Sequence, residues 1–166
     1  MRKWLLSSCV AALVFAAAGA VVAFAGGGNN SGNSGTATAA CAPFGEVGGS
    51  QNVTWSPTTL WPPNHKLQTI TISASDTEGI SGETLTLTVN SITSTDGFAG
   101  TAANGIGNHA SAPENGTLAT TTVQIPAERA GTDTNGNAYD INVSCADDDG
   151  TATQDLTVTV PHDQGA

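Results

Sequence analysis

The sequence predicts an all-β sandwich, and three features carry that expectation. Apolar residues recur with period two along every patterned stretch and never with the 3.6-residue period of a helix. Each stretch is bounded by Gly, Pro, Asn or Asp, as turn chemistry requires. The outward phase is mostly Thr, Ser, Asn and Gln, so each sheet has one buried face and one wet face.

Asn52 to Trp55 forms a short first strand. Lys66 to Ser75 sets Ile70, Ile72 and Ala74 against threonines. Leu85, Leu87 and Val89 mark a third strand in TLTLTVNS. A Gly/Asn/Ala-rich stretch, 94–116, has room for one more. Val123 and Ile125 mark the next, stopped by Pro126. Tyr139, Ile141, Val143 and Cys145 alternate along another. Leu156, Val158 and Val160 form the last, ended by Pro161. Six clear strands and one possible strand on a chain of this size suggest a sandwich of about seven strands. Trp55, Trp61 and Tyr139 are expected as core or rim anchors. The threonine-rich outward phase needs no ligand to explain it, because threonine is a good former of wet strands.

The chain divides into three parts. Residues 1–25 open with Arg2 and Lys3, run apolar from Trp4 and end in Ala23-Phe24-Ala25. These are the marks of a cleaved secretory signal peptide. The competing reading is an uncleaved anchor, because about 20 apolar residues can also span a bilayer. Residues 26–40, GGGNNSGNSGTATAA, hold no large apolar side chain and read as a flexible linker. The folded domain is then 41–166, one domain's length.

Without residues 1–25 the chain keeps Lys66 and Arg129 against 14 acidic residues, a side-chain balance of −12. Such a chain is repelled by nucleic acid and by anionic membranes and is well solvated. Export places Cys41 and Cys145 in an oxidising compartment, where two thiols most often pair. Two free thiols, or an intermolecular link through Cys41, are the alternatives.

Catalytic signatures are missing from the sequence pattern. No serine lies in a G-x-S-x-G elbow. His65, His109 and His162 are scattered, and neither H-E-x-x-H nor C-x-x-C spacing occurs. No phosphate-binding Gly loop precedes a helix. The sequence therefore reads as non-enzymatic.

LWPPNHK (60–66), AERAG (127–131), the run from Tyr139 to Asp147, and VPHDQ (160–164) stand in this order. They resemble bacterial exported immunoglobulin-like repeats, which are similar to hyalin-repeat and PKD-type sandwich domains. The resemblance covers residues 52–164. It implies an immunoglobulin-like antiparallel β-sandwich that is secreted or displayed at the cell surface. It also implies a structural or adhesive role without chemistry of its own, with a surface protein or polysaccharide as partner. The alternative is a specific carbohydrate- or protein-binding module that acts through the loops at one pole. Members often carry a Cys before LWPP and another after the second strand. Here Trp55 and Asp76-Thr77-Glu78-Gly79 stand in those regions, so the family's usual disulfide is missing.

The immunoglobulin-like topology yields three expectations. Cys41 and Cys145 fall near one pole, which favours a Cys41–Cys145 disulfide. Asp76 and Glu78 share that pole with Asp147, Asp148 and Asp149, which together suit calcium. The competing reading is that DDDG is a solvated hairpin turn. At the other pole Trp61, His65, Lys66, Arg129, His162 and Asp163 are expected to lock the fold, with Arg129 paired to Asp163 in preference to Glu128. His65 and His162 offer, alternatively, half a metal site.

Overall fold

Alternating apolar and hydroxyl side chains build eight strands. They are β1 (Ala37–Ala40), β2 (Asn52–Ser56), β3 (Leu67–Ser75), β4 (Thr84–Ser94), β5 (His109–Pro113), β6 (Ala119–Pro126), β7 (Asn137–Ala146) and β8 (Thr151–Val160). The computed structural model describes residues 32–41, 51–76, 83–98, 104–113, 117–132, 134–148 and 150–162. The segment read as a signal peptide, 1–25, lies outside the described residues.

Two four-stranded sheets, ordered β1-β2-β3-β6 and β5-β4-β7-β8, form an all-β sandwich. Every strand pair within them is antiparallel. Val53, Trp55, Ile70 and Ile72 fill the interior from one sheet, and Leu85, Leu87, Tyr139 and Ile141 from the other. Trp55 also ties the layers together by donating its indole N–H to the Thr157 carbonyl at 3.0 Å. Burying this apolar surface is the main favourable term of the fold.

Two observations revise the sequence reading and a third bears it out. First, the linker expected over 26–40 is not coil to its end. Residues 37–40 form β1, pairing Ala37 with Trp55 and Ala40 with Asn52. The ATAA pattern alternates, with Ala37 and Ala39 buried. Methyl groups this small left no visible apolar signal, and backbone pairing supplies the order. Second, β4 runs on to Ser94 through a bulge between Val89 and Ser91. The extra residue reverses the facing of the side chains, so Leu85, Leu87 and Val89 point inward before it and Ile92 after it. Third, the stretch 94–116 does contain a strand, β5, which pairs with β4.

The sandwich is closed differently on its two sides. Beside β6, Asn104 and Gln124 exchange two backbone hydrogen bonds of 2.8 Å. Gly105 sits at φ +113, where an added Cβ would lie 2.9 Å from the Val123 Cα, so only glycine fits this crossing. Beside β8, Leu60 N–H donates to the Thr159 carbonyl at 2.8 Å and buries its own side chain completely.

Candidate functional site

The polar groups that sequence reasoning singled out lie at the two ends of the sandwich, beyond the strand termini. At the first end, β7 delivers Cys145 and the residue after β1 is Cys41. They form a disulfide with a Cα–Cα distance of 6.0 Å across a sequence separation of 104. The bond joins an edge of one sheet to an inner strand of the other.

Beside the disulfide, Gln51 precedes β2 and is buried. Its side-chain amide donates to the Asp76 carboxylate at 3.0 Å and also to Asp147. Asp147 further accepts the Gly150 N–H at 2.9 Å, and its own N–H donates to the Gly150 carbonyl at 3.0 Å. Asp147 is therefore the anchor of a tight β7–β8 turn. Of the five residues considered for calcium, Asp76 and Asp147 meet through Gln51, and Asp148 is exposed. Glu78 and Asp149 lie outside the described residues. Among the described residues no three His, Cys, Asp or Glu side chains gather as a metal site.

The opposite end brings the LWPPNHK and AERAG motifs together mainly through their backbones. His65 N–H donates to the Ala127 carbonyl at 3.1 Å, and Ala127 N–H to the Lys66 carbonyl at 2.9 Å. His65 has a left-handed backbone, φ 60, and its exposed ring lies 3.3 Å from the Glu128 carboxylate. Lys66 is exposed, and its N–H donates to the Asn64 side chain at 3.1 Å. Trip by trip along LWPPNHK, Trp61 is half-buried and donates its N–H to the Asn33 side chain at 3.1 Å. His162 follows β8, half-buried, and packs against Gly136, where an added Cβ would meet its N at 2.9 Å.

Arg129 differs most from its expected role. Its only described hydrogen bond runs to the Ala130 carbonyl at 3.5 Å, and its buried Nε has no acceptor. Asp163, the expected partner, lies outside the described residues. Among the described residues Glu128 pairs with His65 and not with Arg129.

The residue that holds this end together is Asn137, which is buried. Its carbonyl oxygen accepts from the Ser94 hydroxyl at 2.8 Å, the Thr95 hydroxyl at 3.0 Å and the Asp96 N–H at 3.3 Å. Its amide donates to the Glu128 carbonyl at 2.9 Å. Asp96 in turn accepts the Ala130 N–H at 2.7 Å. One amide and one carboxylate thus fasten the β4–β5 loop to the β6–β7 loop.

Next to Asn137, the Tyr139 hydroxyl is buried and makes no well-aligned hydrogen bond. Burial pushes this phenol up to about 12; the Glu128 and Asp96 carboxylates add to the rise, and Asn137 acts against it. A neutral phenol is what such a site tolerates, because a buried phenolate would lack solvation.

Sequence reasoning missed Gln51, Asn137 and Asp96. A signal for the first two was present: Gln51 has the parity of Val53 and Trp55, and Asn137 that of Tyr139 and Ile141. A polar residue in the inward phase at a strand end must be satisfied by neighbouring loops. Asp96 lies in a loop with no periodicity to mark it.

Compared with family models, with curated proteins and with solved structures, the chain gives no significant match.

Proposed function

We propose that this chain is a non-catalytic structural or adhesion module, secreted or displayed at the cell surface. The observation that carries this reading is the use made of the polar residues at the motif end. Asn137 and Asp96 spend their hydrogen bonds on loop backbone and hydroxyl groups. LWPPNHK and AERAG likewise meet through backbone bonds. Such residues fix loop geometry, and among those described at this end no nucleophile–base pair is aimed at a substrate. The Cys41–Cys145 disulfide supports an oxidising destination. The resemblance of the four motifs to exported immunoglobulin-like repeats supports the same reading.

A second reading is a carbohydrate or protein binder that acts through one pole. It is favoured by a shallow groove of about 600 Å³ at the motif end, lined by Thr95, Asn137, Thr159 and Pro161 among others. Passing the exported protein over immobilised polysaccharides and envelope extracts, with calcium or with chelator, separates the two. A module of the first kind shows no specific, saturable retention. Saturable retention favours the binder, and its loss with chelator would make the binding calcium-dependent. Export itself predicts an intact mass that lacks residues 1–25. A membrane-associated species that retains Trp4 to Ala25 would mean an anchor instead.

A further inference from the structure

A sheet edge is a row of backbone donors and acceptors that another strand can join. Proteins blunt such edges with charge, proline, bulges or covering segments. This sandwich has four edges, and they are not treated alike. At β6, Gln124 is paired on both backbone groups by Asn104, and the Thr122 carbonyl accepts the Asn108 side chain at 2.8 Å. The β5 edge ends in Pro113, which has no N–H, and carries His109. At β8, both backbone groups of Thr159 are taken by Thr58 and Leu60, and the Thr157 carbonyl by Trp55. Gln154 covers the Asp155 carbonyl at 3.1 Å, and Asp155 adds a charge to that edge.

Among the described residues the β1 edge has none of these devices. The Cys41 N–H donates to the Gln51 carbonyl at 3.0 Å, and the Gly35 carbonyl accepts from Thr58 N–H at 3.2 Å. Odd-numbered residues therefore face β2, and Thr36, Thr38 and Ala40 turn their N–H and C=O groups outward. No partner strand lies on that side among the described residues. The side chains are exposed at these three positions, and none is charged.

Charge selects what can pair there. The chain carries a formal net charge of −10, so two copies repel over most of their surface. The four strands of the β1 sheet contain no Asp, Glu, Lys, Arg or His. Those of the other sheet carry His109, Asp140 and Asp155. Along β1 two copies can approach without bringing acidic side chains together. We infer that β1 pairs antiparallel with β1 of a second copy, joining the two uncharged sheets into one.

A twofold axis at Thr38 makes the contact isologous. Thr38 then faces its counterpart, and Thr36 faces the counterpart of Ala40, for about six backbone hydrogen bonds. Inward-facing Ala37 and Ala39 are too small to obstruct this approach. Two short edges bury less than the roughly 1,200 Å² of a standard interface, so association is weak. It should also strengthen with salt, which screens the repulsion elsewhere on the two molecules.

Sedimentation equilibrium of the exported protein, from micromolar to millimolar concentration, tests this. A reversible monomer–dimer equilibrium is expected. Thr38→Pro removes an outward N–H and no bond of the β1–β2 ladder. It should weaken association roughly tenfold or more and leave the melting temperature nearly unchanged. Thr38→Lys tests the same edge without constraining the backbone, because it sets two like charges opposite each other. Its effect should match that of the proline variant, whereas Thr122→Lys, beside the covered β6 edge, should leave the dimer intact. A wild-type chain that stays monomeric at millimolar concentration overturns the inference. So does a dimer that neither Thr38 variant weakens.

Discussion

The two ends of the sandwich each rely on one buried amide, but what surrounds that amide differs. Gln51 serves two carboxylates, Asp76 and Asp147, next to the Cys41–Cys145 bond. Asn137 serves hydroxyls and backbone groups, with no covalent link among the described residues of that end. At the disulfide end, the covalent bond limits how far the loops separate when a hydrogen bond is lost. At the motif end, the β4–β5 and β6–β7 loops are held by the hydrogen bonds of Asn137 and Asp96. The comparison teaches that the end where LWPPNHK and AERAG meet is held, among the described residues, by hydrogen bonds alone, from backbone groups, Asn137 and Asp96.

Removing the disulfide should have the largest effect. Cys41→Ser with Cys145→Ser frees a loop of 104 residues, for which chain entropy gives about 4–5 kcal/mol. Denaturant midpoints of the wild type with and without reductant should show the same loss as the double variant. A reduced protein of unchanged midpoint would show that the bond does not restrain this end.

Asn137→Ala comes next. It deprives the Ser94 and Thr95 hydroxyls, the Asp96 N–H and the Glu128 carbonyl of a partner. Several such losses in a buried site should cost about 3 kcal/mol. Gln51→Ala should cost less, about 2 kcal/mol, because Asp147 keeps its bond from Gly150 and the disulfide remains. Equilibrium unfolding of the two variants ranks the ends directly. If Gln51→Ala proves the more damaging, the carboxylate pair and not the motif end is the weak point.

Alkaline titration probes the motif end without mutation. Tyr139 is the single tyrosine of the chain, so phenolate absorbance reports it alone. Its folded-state value is raised to about 12 from 10.0. The native state therefore keeps a proton that the unfolded chain releases first. The stability this contributes is fully present below pH 10 and is lost as the pH rises toward 12, at most about 3 kcal/mol in all. Phenolate should appear near pH 10 in denaturant and near 12 in the native protein. A native midpoint at 10 would show that the hydroxyl reaches water.

Much of the fold was legible because period two is a strong signal wherever Val, Ile or Leu occupies the inward phase. It faded at particular residues for physical reasons. β1 is built on Ala37 and Ala39, too small to read as a core face. The bulge at Asn90–Ser91 switched the phase, so Ile92 looked out of step with Leu87 and Val89. At the poles, the topology expected from the sequence already places Cys41 and Cys145 together. Hydrogen-bond partners were less accessible, because they depend on loop conformations that bring Asn137 to Glu128 and Asp96 to Ala130. The sequence drew attention to charge, Arg129 above all, and the described bonds at that end are made chiefly by an amide.

Arg129→Ala is the smallest effect expected and the most informative about that shift from charge to amide. A guanidinium paired with a buried carboxylate would cost about 3 kcal/mol to remove, because the carboxylate would be left without a counter-charge. The described contacts give a different figure. The Ala130 carbonyl at 3.5 Å is a marginal partner, and the buried Nε has no acceptor, so truncation also removes a desolvated donor. What remains is the partial burial of the side chain. The net cost should stay at or below about 1 kcal/mol, well under that of Asn137→Ala. Arg129→Met, which keeps the stem and drops the charge, should then match wild type in a denaturant titration. A loss near 3 kcal/mol in both variants would restore the ion pair with Asp163 as the lock of this end.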